Sequence, residues 1–260
     1  MQAQKEEMLR DDRVILIGED IATYGGGALF DTFGEKRLWS TPISENAFTG
    51  MAVGAAMTGL RPIVDLTIAS FMYLASDQII NQAGKLRYMT GGQMQVPAVF
   101  RCSMWNGSSV AAQHSDRPYP LFMNAPGLKI IAPSTASDMK GLLKSAIRDD
   151  DPVVVFESNA LWSTSEQVST DPDFLVPIGK ADIKHPGSDI TIVSISHKLI
   201  IMRIVNNSRY YFLSSSPTKW CVTTCAIHLI TSINFIYSDR TTWAWFSFFH
   251  HKFCSFYICF

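Results

Sequence analysis

Glu45 is the acid that this sequence surrounds with small residues. It stands in TPISENAFTGMAVGAAMTGLRP, residues 41–62, ahead of Gly50, Ala52, Gly54, Ala55 and Ala56. Residues that small let another backbone come close. The spacing therefore predicts a helix pressed against a neighbour, with one carboxylate facing that neighbour from the first turn. A first-turn acid also has a plainer use, since it complements the positive end of the helix dipole. His114, in AAQHSDRP, sits in a stretch without a clear period. A loop histidine beside a pocket can give or take a proton near neutral pH; a ring bonded to backbone is the plainer reading. His114-Ser115-Asp116 is no hydrolase triad, because consecutive residues cannot face one another in that geometry. The third group is SAIRDDDP, Ser145 to Pro152, which closes a helix. The last carbonyls of a helix lack partners and carry the negative end of the dipole. Three consecutive acids beside them suit a hard cation, or else form a solvated acidic turn.

Positioning these groups takes an alternation of strands and helices. Val14 to Ile17, Ile63 to Leu66, Val96 to Cys102, Leu128 to Ala132 and Val153 to Phe156 are continuous apolar runs and read as strands. The Glu45 helix has Ser44 as a candidate N-cap, with a hydroxyl able to accept from an orphan N–H, and stops at Gly59 and Pro62. Ser70 to Thr90 reads as one long helix, with Phe71, Leu74, Ala75, Ile79, Ala83 and Leu86 at helical spacing and Gly91-Gly92 at its end. Ser134 or Thr135 caps a third helix running through Arg148. Strands that are apolar throughout, rather than alternating, predict a mainly parallel sheet covered on both faces, an α/β three-layer sandwich. In such sheets ligands bind beyond the carboxyl ends of the strands. Met104 to Tyr119 reads as a loop of functional length. GEDIATYGGGALF is Gly-rich but lacks the G-x-G-x-x-G placement of a dinucleotide fold. MQAQKEEMLRDD reads as the end of an exposed helix, and residues 158–189 as a polar linker before a strand at Asp189 to Ile195.

A length of 260 suggests one large or two small domains, and an apolar fraction of 47% is enough for a substantial core. A net charge of −1 argues against nucleic acid or an anionic membrane as a partner. No charged-then-apolar segment opens the sequence, so no secretion signal is expected. The composition changes along the chain. All 16 glycines lie before residue 188, and residues 201–260 hold no Gly, Glu or Gln and a single acid, Asp239. Four of the five cysteines and half of the 16 phenylalanines fall there. Sixty residues without a glycine make a poor α/β segment. The one cysteine before it, Cys102, fits a reducing interior.

The motif ISENAFTGMAVGAAMTGLRPI resembles the signature of a family: the β subunit of the thiamine-diphosphate-dependent 2-oxoacid dehydrogenase decarboxylase component, including the pyruvate, branched-chain and acetoin enzymes. DQIINQAGKLRYMTGG, AAQHSDRPYPLF, PGLKIIAPST and KGLLKSAIRDDDPVVVFE resemble the same family in the same order, so the likeness runs from about residue 6 to about residue 197. The resemblance implies a pyrimidine-binding domain over 1–180 and the start of a transketolase C-terminal domain over 181–199. Residues 200–260 would be an aberrant tail. By the same resemblance, Glu45 is the acid that hydrogen-bonds a ring nitrogen of the cofactor's aminopyrimidine, favouring the tautomer that takes the thiazolium proton. Phe71 is the aromatic that packs on that ring; on the residues alone it reads as a core Phe. His114 serves the transfer of the acyl group to a lipoyl arm. Backbone oxygens at Ala98, Ala146, Ile147, Asp149 and Asp151 form a structural potassium site. More helix precedes the N-terminal segment, and an extra turn or two separates the Gly-rich loop from FGEKRLW, where the join here is short.

The family holds the cofactor's diphosphate through a divalent metal on a GDG motif, and no GDG occurs in this sequence. The resemblance thus implies a partner α subunit carrying the magnesium half of the site, an α2β2 heterotetramer, and a lipoyl acyltransferase core as the acceptor. The compartment would be cytoplasmic in a bacterium and mitochondrial or plastid in a eukaryote. A thiamine-dependent transketolase or synthase would carry both halves of the site in one chain. A truncated, non-catalytic chain would keep the fold without turnover, and an acetoin dehydrogenase β subunit would share every motif. A membrane-attached protein is the last alternative, resting on Trp220 to Ser238, which lacks Lys, Arg, Asp and Glu but contains Thr, Ser, Asn and His.

Overall fold

The computed structural model describes residues 1–23, 26–105, 109–184, 186, 190–198 and 220–222. It divides into two compact units, Met1–Ile178 and Gly179–Phe260. The first opens with helix α1 (Gln2–Arg10), strand β1 (Val14–Glu19), α2 (Gly27–Phe33), β2 (Leu38–Thr41), α3 (Glu45–Met57) and β3 (Arg61–Ile68). A 3-10 turn (Ala69–Tyr73), a π-helical stretch (Asp77–Ala83) and α4 (Gly84–Met89) follow. Then come β4 (Val99–Met104), α5 (Tyr119–Met123), β5 (Lys129–Ile131), α6 (Ala136–Arg148) and β6 (Val153–Ser158). The six strands form one sheet in the order β2-β1-β3-β4-β6-β5, parallel at every pairing.

Alternation along each strand splits the core into two layers. Ile17, Val64, Leu66, Phe100, Cys102, Val154 and Phe156 face one side, where Phe48, Ala52, Val53 and Ala56 of α3 pack with Met72 and Ile79. Val14, Leu16, Ile63, Val99, Val153 and Val155 face the other, against Ala3 and Met8 of α1 and Leu143, Ala146 and Ile147 of α6. This is the three-layer α/β sandwich that the apolar strands predict.

The structure departs from the sequence expectations in several places. Residues 70–90 do not form one α-helix. The 3-10 and π turns change the number of residues per turn, so a count at 3.6 drifts off the core face, and Leu74 emerges 63% exposed. The N-terminal helix is not an exposed one: Ala3, Gln4, Glu7 and Met8 are buried against the sheet and α6. The short join at 27–34 holds a helix, α2, with Leu29 buried in the core. Ser44 stands at the N-cap of α3 but its side chain makes no capping bond, whereas Thr135 caps α6 by accepting from the Asp138 N–H at 3.0 Å. Residues 159–178 are no free linker. Lys140 and Ser145 donate to the carbonyls of Ser169 and Val176, and Lys144 to that of Pro172.

In the second unit, β7 (Ile190–Ile192) pairs in parallel with β8 (Trp220–Val222). The remainder of residues 200–260, and with it most of the apolar run from Trp220 to Ser238, lies outside the described residues. Among the described residues no helix is long and apolar enough to cross a membrane.

A seam of ion pairs fastens α1 to α6. The Lys144 side chain, 0% exposed, reaches Glu6 at 2.8 Å, Lys140 reaches Glu6 at 2.9 Å, and Arg148 reaches Glu7 at 2.8 Å. Burial alone would raise the Glu6 pKa, but hydrogen bonds from Lys144, Lys140 and Gln2 outweigh it and bring the carboxyl down to about 2. A carboxylate with a depressed folded pKa contributes stability that is complete above its unfolded value and lost as the pH falls through the folded one, here between about pH 5 and about pH 2. Glu6→Gln should therefore flatten the acid limb of stability. Urea midpoints measured across that window should fall less steeply for the variant; equal slopes would contradict the assignment.

Candidate active site at the carboxyl edge of the sheet

Because β1, β2, β3 and β4 run parallel, their carboxyl ends share one edge. Glu19 ends β1, Thr41 ends β2, and the two are in register. Alternation turns Glu19, like Ile17 two residues before it, toward the α3 face. The chain leaves β2 at Thr41, and Glu45 opens α3. Glu45 is 6% exposed and Glu19 8%. Burial raises the Glu19 pKa, and the negative charges of Glu45, Asp20 and Asp65 raise it further. Thr49 lies one turn beyond Glu45 on the same helix face, fully buried. Glu19 Oε2, Thr41 Oγ1 and Thr49 Oγ1 are all buried without a hydrogen-bond partner. Native proteins leave few such atoms. Three at one sheet edge, beside a buried acid, fit a flat ring bearing both donors and acceptors, as an aminopyrimidine does.

The predicted close packing of α3 is local. At Gly50 an added Cβ would come within 3.0 Å of Gln78 Oε1, so α3 lies tightly on the π-helical stretch there, while Gly54 faces open space.

Phe71 lies in the 3-10 turn that follows β3, and His114 in a second 3-10 turn (Ala112–His114) that follows β4. Both are half-buried, so Phe71 is not an ordinary core residue. Their ring centroids are 5.5 Å apart at 73°, an edge contact. The structure thus makes two pairs, Glu45 with Glu19 and Phe71 with His114, on the carboxyl ends of neighbouring strands. Glu19, Thr41 and Thr49 are the residues that sequence reading missed. The signal for Glu19 was present: an acid at the carboxyl end of VILIGE in a parallel sheet stands where ligands bind.

The positions proposed for potassium are close together but already engaged. Arg61 Nε donates to the Ile147 carbonyl at 2.8 Å, and its Nη2 to that of Asp149. The Ala98 carbonyl accepts from Val153 N at 3.0 Å and that of Ala146 from Asp149 N at 3.2 Å. Lys129 bridges the carboxylates of Asp149 and Asp151 at 2.8 and 3.1 Å, Arg61 pairs with Asp150, and Arg87 with Asp151. Each acid of the run is therefore paired with a cationic side chain, although Asp150 remains exposed. Among the described residues no group of three or more His, Cys, Asp or Glu could hold a metal ion.

On the opposite face of the sheet Arg101 joins Asp65 at 2.8 Å and Glu157 at 2.7 Å, tying β3, β4 and β6 together near the same edge. Arg101 is half-buried, and although desolvation opposes its charge these two carboxylates keep its pKa above the ordinary arginine value.

A buried acid with a raised pKa works against folding once it ionises. For Glu19 that penalty is absent below the unfolded value and grows as the pH rises through the folded one. Glu19→Gln should raise the melting temperature at about pH 8 and leave it unchanged at about pH 4. Thermal melts at the two values check this, and an equal shift at both would be the contrary result.

Comparison with known proteins agrees with this architecture. Residues 1–163 match the model of the transketolase pyrimidine binding domain. The mitochondrial pyruvate dehydrogenase E1 component subunit beta of Ascaris suum is 46% identical over 202 residues, covering 75% of this chain and 56% of that protein. The 2-oxoisovalerate dehydrogenase subunit beta of Bacillus subtilis is 43% identical over 197 residues, covering 74% of this chain and 60% of that one. The chain thus spans little more than half the length of these relatives. A solved structure described as a split gene transketolase, inactive beta4 tetramer, superposes with a TM-score of 0.64 at 19% identity, covering 80% of this chain and 66% of the other, which supports the fold alone. A match over more than half of the chain places it plainly: this chain belongs to the transketolase pyrimidine-binding domain family.

Proposed function

We propose that the chain acts as the β subunit of a 2-oxoacid dehydrogenase decarboxylase component, supplying the aminopyrimidine half of a thiamine diphosphate site. The observation that carries this is the burial of Glu45 at the first turn of α3, beside a second buried carboxyl and partnerless hydroxyls. Pyruvate is the favoured substrate, since the Ascaris relative is a pyruvate dehydrogenase subunit. When bound, thiamine diphosphate supplies a nucleophilic thiazolium carbon for decarboxylation of the 2-oxoacid.

The chain's own residues bind, orient and move protons. Glu45 shares a hydrogen bond with a ring nitrogen of the aminopyrimidine in a site kept dry by Phe48, Val53 and Ala52 beneath it. Glu19 stands beside it, its carboxyl held above the ordinary range by burial and by the neighbouring charge of Glu45. Phe71 offers its face to the pyrimidine, and His114 handles the proton when the acyl group passes to a lipoyl arm. The diphosphate and its magnesium fall to an α subunit, because this chain has no GDG motif; an α2β2 heterotetramer on a lipoyl acyltransferase core is the assembly that follows. Potassium at Ala98, Ala146, Ile147, Asp149 and Asp151 has weaker support, because Arg61 already supplies a positive charge to two of those carbonyls.

In a complex assembled with an α subunit, Glu45→Gln should cut thiamine-dependent turnover by a factor on the order of 10²–10⁴ while the complex still forms. Full turnover in that variant would remove Glu45 from the mechanism. His114→Gln should slow acyl transfer to lipoyl more than decarboxylation measured with an artificial electron acceptor. Equal losses in the two assays would exclude the acyl-transfer role.

A further inference from the structure

The segments carrying Phe71 and His114 meet twice. Their rings make the edge contact, and one residue earlier on each segment the Ser70 hydroxyl donates to the Gln113 carbonyl oxygen. Each segment is bent to reach the other. β3 carries a bulge between Asp65 and Ile68, where Thr67 has φ 56 and its N–H is held by Asp65 Oδ1 at 3.0 Å. Across from it, Ala111 has φ 63 and ψ 178, a conformation that residues with a Cβ rarely adopt. Its carbonyl accepts from the Ser115 hydroxyl at 2.6 Å.

An edge contact between rings tolerates sliding and rotation. A hydroxyl-to-carbonyl bond fixes one atom of one segment to one atom of the other. We propose that Ser70 is a positioning residue: by holding the Gln113 carbonyl it locks the His114 ring against Phe71, and so sets where His114 can exchange a proton. The consequence for turnover rests on the acyl-transfer role given to His114 above; the positioning does not. Nothing in the sequence around Ser70 marks it for this, since a serine at the start of a helical segment reads as a cap.

Selective 13C labelling of histidine side chains in the full chain reads the positioning directly, with the His114 resonance assigned by its loss in His114→Gln. Ser70→Ala should move that resonance toward its position in Phe71→Leu, since both variants release the ring contact. Ser70→Thr, which keeps the hydroxyl, should restore it. In the assembled complex, Ser70→Ala should lower acyl transfer roughly 10-fold more than decarboxylation, the scale of loss that follows a small misplacement of a reacting group. A His114 resonance that Ser70→Ala leaves unmoved overturns the proposal. A resonance that moves while acyl transfer stays intact upholds the positioning and instead overturns the acyl-transfer role of His114.

Discussion

A parallel strand cannot be joined to its neighbour by a tight turn, so the chain must cross a face of the sheet between strands. Every strand of this sheet therefore ends on the same edge, and every crossing covers a face. Much of the rest follows. The inner strands are buried on both sides and can be apolar on both faces, as Val14 to Ile17 of β1 are. The loops that leave the edge after β1, β2, β3 and β4 bring Glu19, Glu45, Phe71 and His114 to one rim, although 95 residues separate the first from the last. No local interaction gathers these side chains; the direction of the strands does.

At that rim the structure accepts electrostatic and desolvation costs. Removing a carboxyl from water without a full set of partners is unfavourable, and two carboxyls placed near each other are worse. Glu19 carries both penalties, and the hydroxyls of Thr41 and Thr49 add unpaired buried oxygens. The seam between α1 and α6 is the contrast: Glu6 and Glu7 are buried or nearly so, and each meets at least two cationic side chains. Glu7, at least as deep as Glu19, thus differs from it in partners rather than in depth. A site that has to receive a polar ring keeps its acceptors open, and a joint that has only to hold closes them.

How much of this the sequence disclosed depended on range. Five of the six strands were legible because a covered parallel strand is an unbroken apolar run, and α6 because its cap and apolar spacing agree. β2 reads LWST, which alternates on the sheet's margin and forms no such run. The 70–90 region misled because periodicity assumes one helix type, and 3-10 and π turns replace it there. Of the candidate site, Glu45 and His114 stood out by type and setting, but their roles, like that of Phe71, came only from the family motif. Glu19 carried a positional signal at the end of β1, while its partnerless oxygen is evident only in the fold. The ion pairs that close the acidic run were out of reach, since Arg61 meets Asp150 across 89 positions and nothing local couples them.

The pairing of satisfied and unsatisfied groups also bears on what the chain needs from outside. Arg101, half-buried against Asp65 and Glu157, ties three strands together just behind the rim, so the rim itself is braced. The open acceptors face away from that brace, on the α3 side of the sheet. A braced edge that leaves Glu19 and Thr41 oxygens unpaired on that face is complementary to a polar ligand approaching from it. The chain has no motif of its own to grip a charged diphosphate through a metal. Under the function proposed above, the cofactor's ring meets these acceptors and its charged end is left to the proposed α subunit.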